Sequence, residues 1–551
     1  MASLNPFTGQ LGVEKAAHLL RRTTFGPTKS EIQAFATKTV SEALTDLMQP
    51  LATPDPPVDP KTGTDWLPKP DETNSGDDSL FEYFKAWFME QMRTSPPNLT
   101  EKMTYFWHVF LPADHSLIQN STSLYYQNAL YRQFAFGNLK NLIAKVCVDN
   151  AMLVYIDNTL NDKDAPNENF ARELQELYTI GKGPQIGPED YTNYTETDVK
   201  EAARVLTGIK HNFDFDTLDP DTNLPRGKVT LNTNLQAERH DPDPKQFTDK
   251  YNNTVIEPKP EYMVDGLVTE EGFYDELNQL IEMIYTQMET ARFFCRRLYR
   301  FFVYYEITDE IESDIIEPLA QTLYNNNYEV KPVLEQLLSS EHFFDINNSS
   351  PQNNNFGALI KSPVDLVIGT FRTLNISLPT DPMELYHYAY SQGISRMIDD
   401  QGMKFYKPID VAGYPPYHQV PAYNRNWISA NNLAERYHMA NQLIDGKISD
   451  DTQNILYKLD TVAFVEDSNN ISDPSDANVL VQELVEIMFP QPIPQERLDY
   501  FVNTVLLNGL QPEMWTDEWN SYAGGGDDVG VRTQLDLLFK IMMQSPEYQL
   551  F

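Results

Sequence analysis

Two cysteines, Cys147 and Cys295, are all that 551 residues contain. They allow one disulfide at most, which excludes a disulfide scaffold, and the absence of CxxC or paired Cys/His spacing excludes a zinc finger or ribbon. Both lie in apolar, helix-like runs and read as buried thiols. No window approaches about 18 consecutive apolar residues, so no membrane span is expected. The start, MASLNPFTGQLGVEKAAHLLRR, lacks a charged stretch followed by an uninterrupted apolar core. Taken alone, that makes the cytoplasm the default compartment, with the periplasm or cell surface reached by carriage on an exported partner. Basic residues are scarce: 42 Lys and Arg stand against 80 Asp and Glu, a formal charge of −38. Such a field repels phosphate backbones and anionic headgroups, which argues against nucleic acid and favours cationic, neutral or metal-ion partners. HExxH, GxSxG, P-loop and correctly flanked GxGxxG motifs are also absent.

What the chain does contain is apolar periodicity. A content of 41% hydrophobic and 12% aromatic residues supports a folded core. Helical spacing recurs through VEKAAHLLRRTTFG and KSEIQAFATKTVSEALTDLM, split at Gly26-Pro27, which predicts a helical hairpin over 13–47. Residues 50–78 are rich in Pro, Asp and Gly and read as a long surface loop. Aromatic, Met-rich helices are expected from Leu80 to Tyr155. Alternating segments over 211–262 predict a small β-hairpin or ribbon. Helices resume to about 376, residues 377–430 read as an irregular surface wrap, and further helices follow at 431–445 and 475–507 and at the C-terminal end. The expected fold is therefore mainly α, a multi-helix bundle with a small inserted β-hairpin. Its main unit spans 12–440, with a helical extension over 441–551 packed against it.

The stretch APNENFARELQELYTIG, Ala165 to Gly181, is unusual in carrying two ordered faces. Phe170, Leu174 and Leu177 share one stripe, while Asn169, Arg172, Glu173 and Glu176 share another. A solvated face laced by Glu168–Arg172 and Arg172–Glu176 pairs is the plain explanation, each pair contributing about 0.2–0.5 kcal/mol. The sharper one is the carboxylate-rich wall of a cleft. Two histidines stand out beside it. His108 shares a helical face with Glu101, Thr104 and Tyr105, and His240 opens the turn HDPDPK with Asp241, Asp243 and Lys245. A core role suffices for His108 and an acidic surface turn for His240. His108, Asp157, Glu173, Glu176, His240 and Asp241 together, however, form a set able to bind a divalent ion through imidazole and carboxylate oxygens.

Seven separated segments carry a resemblance: AAHLLRRTTFGPT at 16–28, LTEKMTYFWHVF at 99–110, DNAMLVYIDN at 149–158, the Ala165 helix, YTETDVKEAARVLTG at 194–208, HDPDPK at 240–245 and IKSPVDLVIGTFR at 360–372. In order and spacing they resemble the bacterial family called domain of unknown function 1800, over about 12–440. The resemblance implies a largely helical protein, often encoded beside a sulfatase-like family with a twin-arginine export signal, and no established reaction. It points to Arg21, Arg22, Phe25 and Gly26; Trp107 and His108; Asn167, Glu168, Asn169, Arg172, Glu173 and Glu176; His240, Asp241 and Lys245; and Lys361, Ser362 and Pro363. Two positions depart from the family pattern. Pro244 stands where a glycine is usual, removing backbone freedom and an N–H, and Ile209 stands where an aromatic is expected.

Two functional classes follow. One is a metal- or carboxylate-assisted hydrolase of a carbohydrate or ester at the cell envelope. In it His108, Glu173 and His240 would carry the chemistry, Glu176 and Asp241 would hold a divalent metal, and Asn167, Asn169, Arg172, Lys245 and Lys361 would bind. The other is a non-enzymatic acidic scaffold that binds a sulfatase-like exported protein or a surface glycan. There Tyr414, Tyr417, Tyr423 and Trp427 would supply the contacts.

Overall fold

The computed structural model describes residues 3–67, 76–188, 190–346 and 355–551, and 55% of the chain is helical. The architecture is mainly α with small two-stranded antiparallel ribbons. Among the described residues no helix is long and apolar enough to cross a membrane.

Local sequence explains most boundaries. The first helix, Gly12–Thr23, stops before Gly26-Pro27 as expected. The second amphipathic pattern forms two helices, Lys29–Ala36 and Val40–Leu47, because Thr39 and Glu42 close a capping box that restarts the chain. Thr195 and Asp198 do the same for Glu196–Val205. Over 50–67 the expected loop is mostly irregular, with a short ribbon and a Trp66 only 1% exposed; residues 68–75 lie outside the described residues. In and around the expected ribbon region, 211–262, three separate pairs form: Ile209–Lys210 with Lys228–Val229, Lys245–Gln246 with Val255–Ile256, and, just beyond it, Met263–Val264 with Leu267–Val268.

Residues 377–430 differ from the irregular surface wrap expected of them. A wide-turn π-helical segment, Met383–Ile394, runs into Ser395–Asp400, and Ala389, Tyr390, Ile394 and Ile398 are buried. It packs on the aromatic helix Asp77–Thr94, so apolar complementarity outweighed the Pro- and Tyr-rich composition. The turn Pro415–His418 and the 3-10 segment Tyr423–Trp427 follow. Thr100–Phe110 is buried along its entire length and packs on Ser121–Gln133. Met288–Phe302 lies against Glu317–Asn325, and Ala430–Asp445 against Val529–Met543.

Candidate functional site

The polar helix is not regular. Asn169–Glu173 is α-helical, and Leu174–Tyr178 continues as a π turn that ends at Gly181. Thr179 Oγ1 donates to the Leu174 carbonyl at 2.6 Å, five residues back. The wider turn advances the face by one residue. Gln175 is therefore buried, accepting from Tyr251 at 2.9 Å, while Leu177, placed on the apolar stripe from spacing, is only partly covered. Gly181 adopts φ +74°, and a Cβ there would lie 2.6 Å from the Phe293 ring.

The polar stripe divides among neighbours. Arg172 grips Glu196 with two donors at 2.6 Å each and reaches Glu168 at 3.1 Å, so the expected pair with Glu176 does not form. Glu176 instead faces Lys182 at 3.4 Å and accepts from the Tyr194 hydroxyl at 3.2 Å. Asn167 and Asn169 fasten the helix start to the Asp157 turn, with amide donors 3.4 Å from the Asp157 carbonyl and 3.5 Å from its carboxylate.

His240 belongs to a closed network. Its Nε2 lies 2.5 Å from Glu276 Oε2 and its Nδ1 3.0 Å from the Thr207 carbonyl. Lys245 Nζ donates to the other Glu276 oxygen and to the Asp241 carbonyl, both at 2.6 Å. The side chains of His240, Lys245 and Glu276 are fully buried. Asp241 is held by Arg204 at 2.7 Å, and the same guanidinium donates to the Pro244 carbonyl. Pro244 thus contributes its carbonyl to a rigid corner. Glu276 lies 36 residues from His240, outside every motif.

His108 is fully buried too, against Phe405, Tyr406 and Tyr414. Burial holds its imidazole down to about 3, so it is neutral at ordinary pH. Its Nε2 stands 3.3 Å from the Tyr414 hydroxyl, and its Nδ1 has no partner among the described residues. Among the described residues no hydrogen bond or ion pair joins His108, Glu173 and His240 to one another. Nor do Glu176 and Asp241 meet. Among the described residues no group of three or more His, Cys, Asp or Glu side chains is arranged to hold a metal ion. Glu176 and Asp241 are already taken, the first by Lys182 and the Tyr194 hydroxyl, the second by Arg204.

Glu173 occupies different surroundings. It is partly buried; loss of solvent, then the Glu176 charge, push its carboxyl up to about 7 against the opposing pull of Arg172 and Lys182, and Asp410 adds to the rise. The Tyr155 hydroxyl donates to the Asp410 carbonyl at 3.4 Å, closing one side. His418 also neighbours Asp410: its Nε2 is 3.9 Å from Asp410 Oδ1 and has no hydrogen-bond partner among the described residues. Burial and then the Arg297 charge lower its pKa. Asp410, His418 and Arg297 carry no motif signal; the Tyr-rich stretch containing the first two was the single hint.

Arg297 also lines a pocket of its own. Tyr417, Tyr423 and Trp427, expected as ligand contacts, meet here, whereas Tyr414 stays against His108. Asp365, in the lining, is paired with Lys102 and accepts from Ser362 Oγ at 2.7 Å. Ser362 caps the helix Pro363–Thr373, as its position ahead of Pro363 suggests.

Lys361 serves the chain's own backbone. Its Nζ donates to the Tyr548 carbonyl at 2.8 Å and lies 4.2 Å from that ring's centre, and burial lowers its pKa to about 7. Arg21 donates to the Glu486 and Ile487 carbonyls, and buried Arg22 to the Asn355 carbonyl at 2.6 Å. The basic residues of the first and last motifs thus clasp later segments. The comparisons agree with that reach: a family model described as a protein of unknown function, DUF1800, matches residues 18–550, well beyond residue 440. No curated protein and no solved structure matches the chain. With nearly its whole length matched, the chain belongs to the DUF1800 family.

Proposed function

We propose that this protein is a carboxylate-assisted hydrolase of a carbohydrate or ester, with Glu173 as general acid and His418 as general base. The observation that carries the reading is the Glu173 carboxyl, raised to about 7 beside Glu176 and Asp410. A carboxyl that is half protonated near neutrality can deliver a proton to a leaving oxygen. His418, neutral and with Nε2 unpartnered, is suited to take the proton of an attacking water, and Asp410 stabilises the imidazolium that results. Water adds across the scissile bond, Glu173 gives up its proton to the departing group, and solvent exchange returns both residues to their starting states. No metal ion enters the scheme.

The test is turnover of 4-nitrophenyl glycosides and esters by the full chain between pH 5 and 9. Glu173→Gln is expected to lower kcat by about 10²–10⁴-fold, the usual contribution of a positioned acid. Absence of turnover across the panel, or an unchanged rate in Glu173→Gln, overturns the assignment. The binding reading keeps one observation of its own, the convergence of Tyr417, Tyr423 and Trp427 on one pocket.

A further inference from the structure

We infer that the pocket walled by Tyr417, Tyr423 and Trp427 binds a small ligand carrying a carboxylate or phosphoryl oxyanion on a flat ring, anchored by Arg297, Arg300 and Asn424. The inference stands whether or not Glu173 performs chemistry.

Four arginines along one helix, Met288–Phe302, make the case by contrast. Arg292 pairs with Glu289 and Glu317, and Arg296 with Glu289 and Glu312. Arg297 and Arg300, which line the pocket, form no ion pair among the described residues. Arg297 donates to the Tyr417 carbonyl and Arg300 to the Tyr305 carbonyl, both at 3.2 Å, and Arg300 has the Tyr423 hydroxyl as its one side-chain partner. A guanidinium has five N–H donors, so most of their capacity is unused. In a chain with 80 acidic residues, the scarcity of carboxylate around these two cations is selective. Asp365, the one Asp or Glu side chain among the described lining residues, is already taken by Lys102 and Ser362.

Asn424 adds an independent sign. Its side chain lines the same pocket and is 8% exposed, yet neither its Nδ2 nor its Oδ1 has a partner among the described residues. A buried amide left unsatisfied costs about 1–3 kcal/mol. A ligand with both donor and acceptor atoms would remove that cost. The aromatic walls supply the rest, since flat rings stack on Tyr and Trp faces while planar guanidinium forks match carboxylate and phosphate oxygens.

Isothermal titration calorimetry of the full chain with benzoate, phenyl phosphate and uncharged benzyl alcohol, at constant ionic strength, tests this. Saturable binding of one or both anions is expected, and which of the two binds identifies the oxyanion class. Arg300→Gln and Asn424→Asp are each expected to weaken binding by about tenfold or more, the second by placing a like charge in the pocket. Arg292→Gln, outside the lining, should bind as the parent does. If Arg297→Gln fails to fold, the Arg300 and Asn424 variants still decide the matter. No saturable heat with either anion, equal affinity for benzyl alcohol, or parent-like binding by folded Arg300→Gln overturns the inference.

Discussion

Lys245 Nζ lies 2.6 Å from Glu276 Oε1, and neither side chain reaches solvent. The second Glu276 oxygen serves His240, so one carboxylate holds two basic groups in the interior. Removing it leaves both without their partner. Glu276→Ala is expected to cost about 3–5 kcal/mol, measured as a lowered urea midpoint, because an uncompensated buried charge remains. A loss under about 1 kcal/mol would mean that water enters and replaces the carboxylate.

The Glu173 carboxyl predicts a pH dependence of stability. Its folded-state pKa, about 7, lies above the ordinary 4.5. The stabilisation is complete below 4.5 and is lost as pH rises through 7, because the unfolded state ionises first. Thermal unfolding in steps from pH 4 to 8 should show that slope in the parent and a flatter one in Glu173→Gln. Above pH 7 the variant should be the more stable, while its turnover is lost. Identical slopes would place Glu173 in open water.

His108 acts in the opposite direction. Burial lowers its pKa from 6.5 to about 3, so stability is complete above 6.5 and is lost as pH falls toward 3. His108→Leu, which cannot take up a proton, should unfold less readily in acid, with the separation from the parent opening below pH 6.5. Acid titrations that superimpose would contradict the burial of this ring.

Gly26 predicts a steric cost. It adopts φ +98°, and a Cβ there would fall 2.8 Å from the Gly369 carbonyl oxygen and 2.9 Å from its Cα. Gly26→Ala should destabilise by about 1–3 kcal/mol through backbone strain, with a further cost of similar order from overlap. Calorimetric melting of the folded variant measures the sum. A melting temperature equal to the parent's would show that the first helix and Pro363–Thr373 can move apart freely.

Sequence alone determined the local rules. Helical class follows from recurring 3.6-residue spacing, the stop at Gly181 from its place after the last periodic residue, and the Thr195 cap from Asp198 three residues on. Each depends on neighbours a few residues apart, where backbone geometry fixes distance in advance. Tertiary structure decided the rest. An extra residue in the turn at Leu174–Tyr178 leaves no mark on composition, yet it moved Gln175 inward and Leu177 toward the edge. Glu276 beside His240 and Arg297 on the Tyr417 carbonyl are meetings across tens to more than a hundred residues. Periodicity specifies which face a side chain occupies; what that face meets is settled by how long helices pack, and packing is a property of the whole chain.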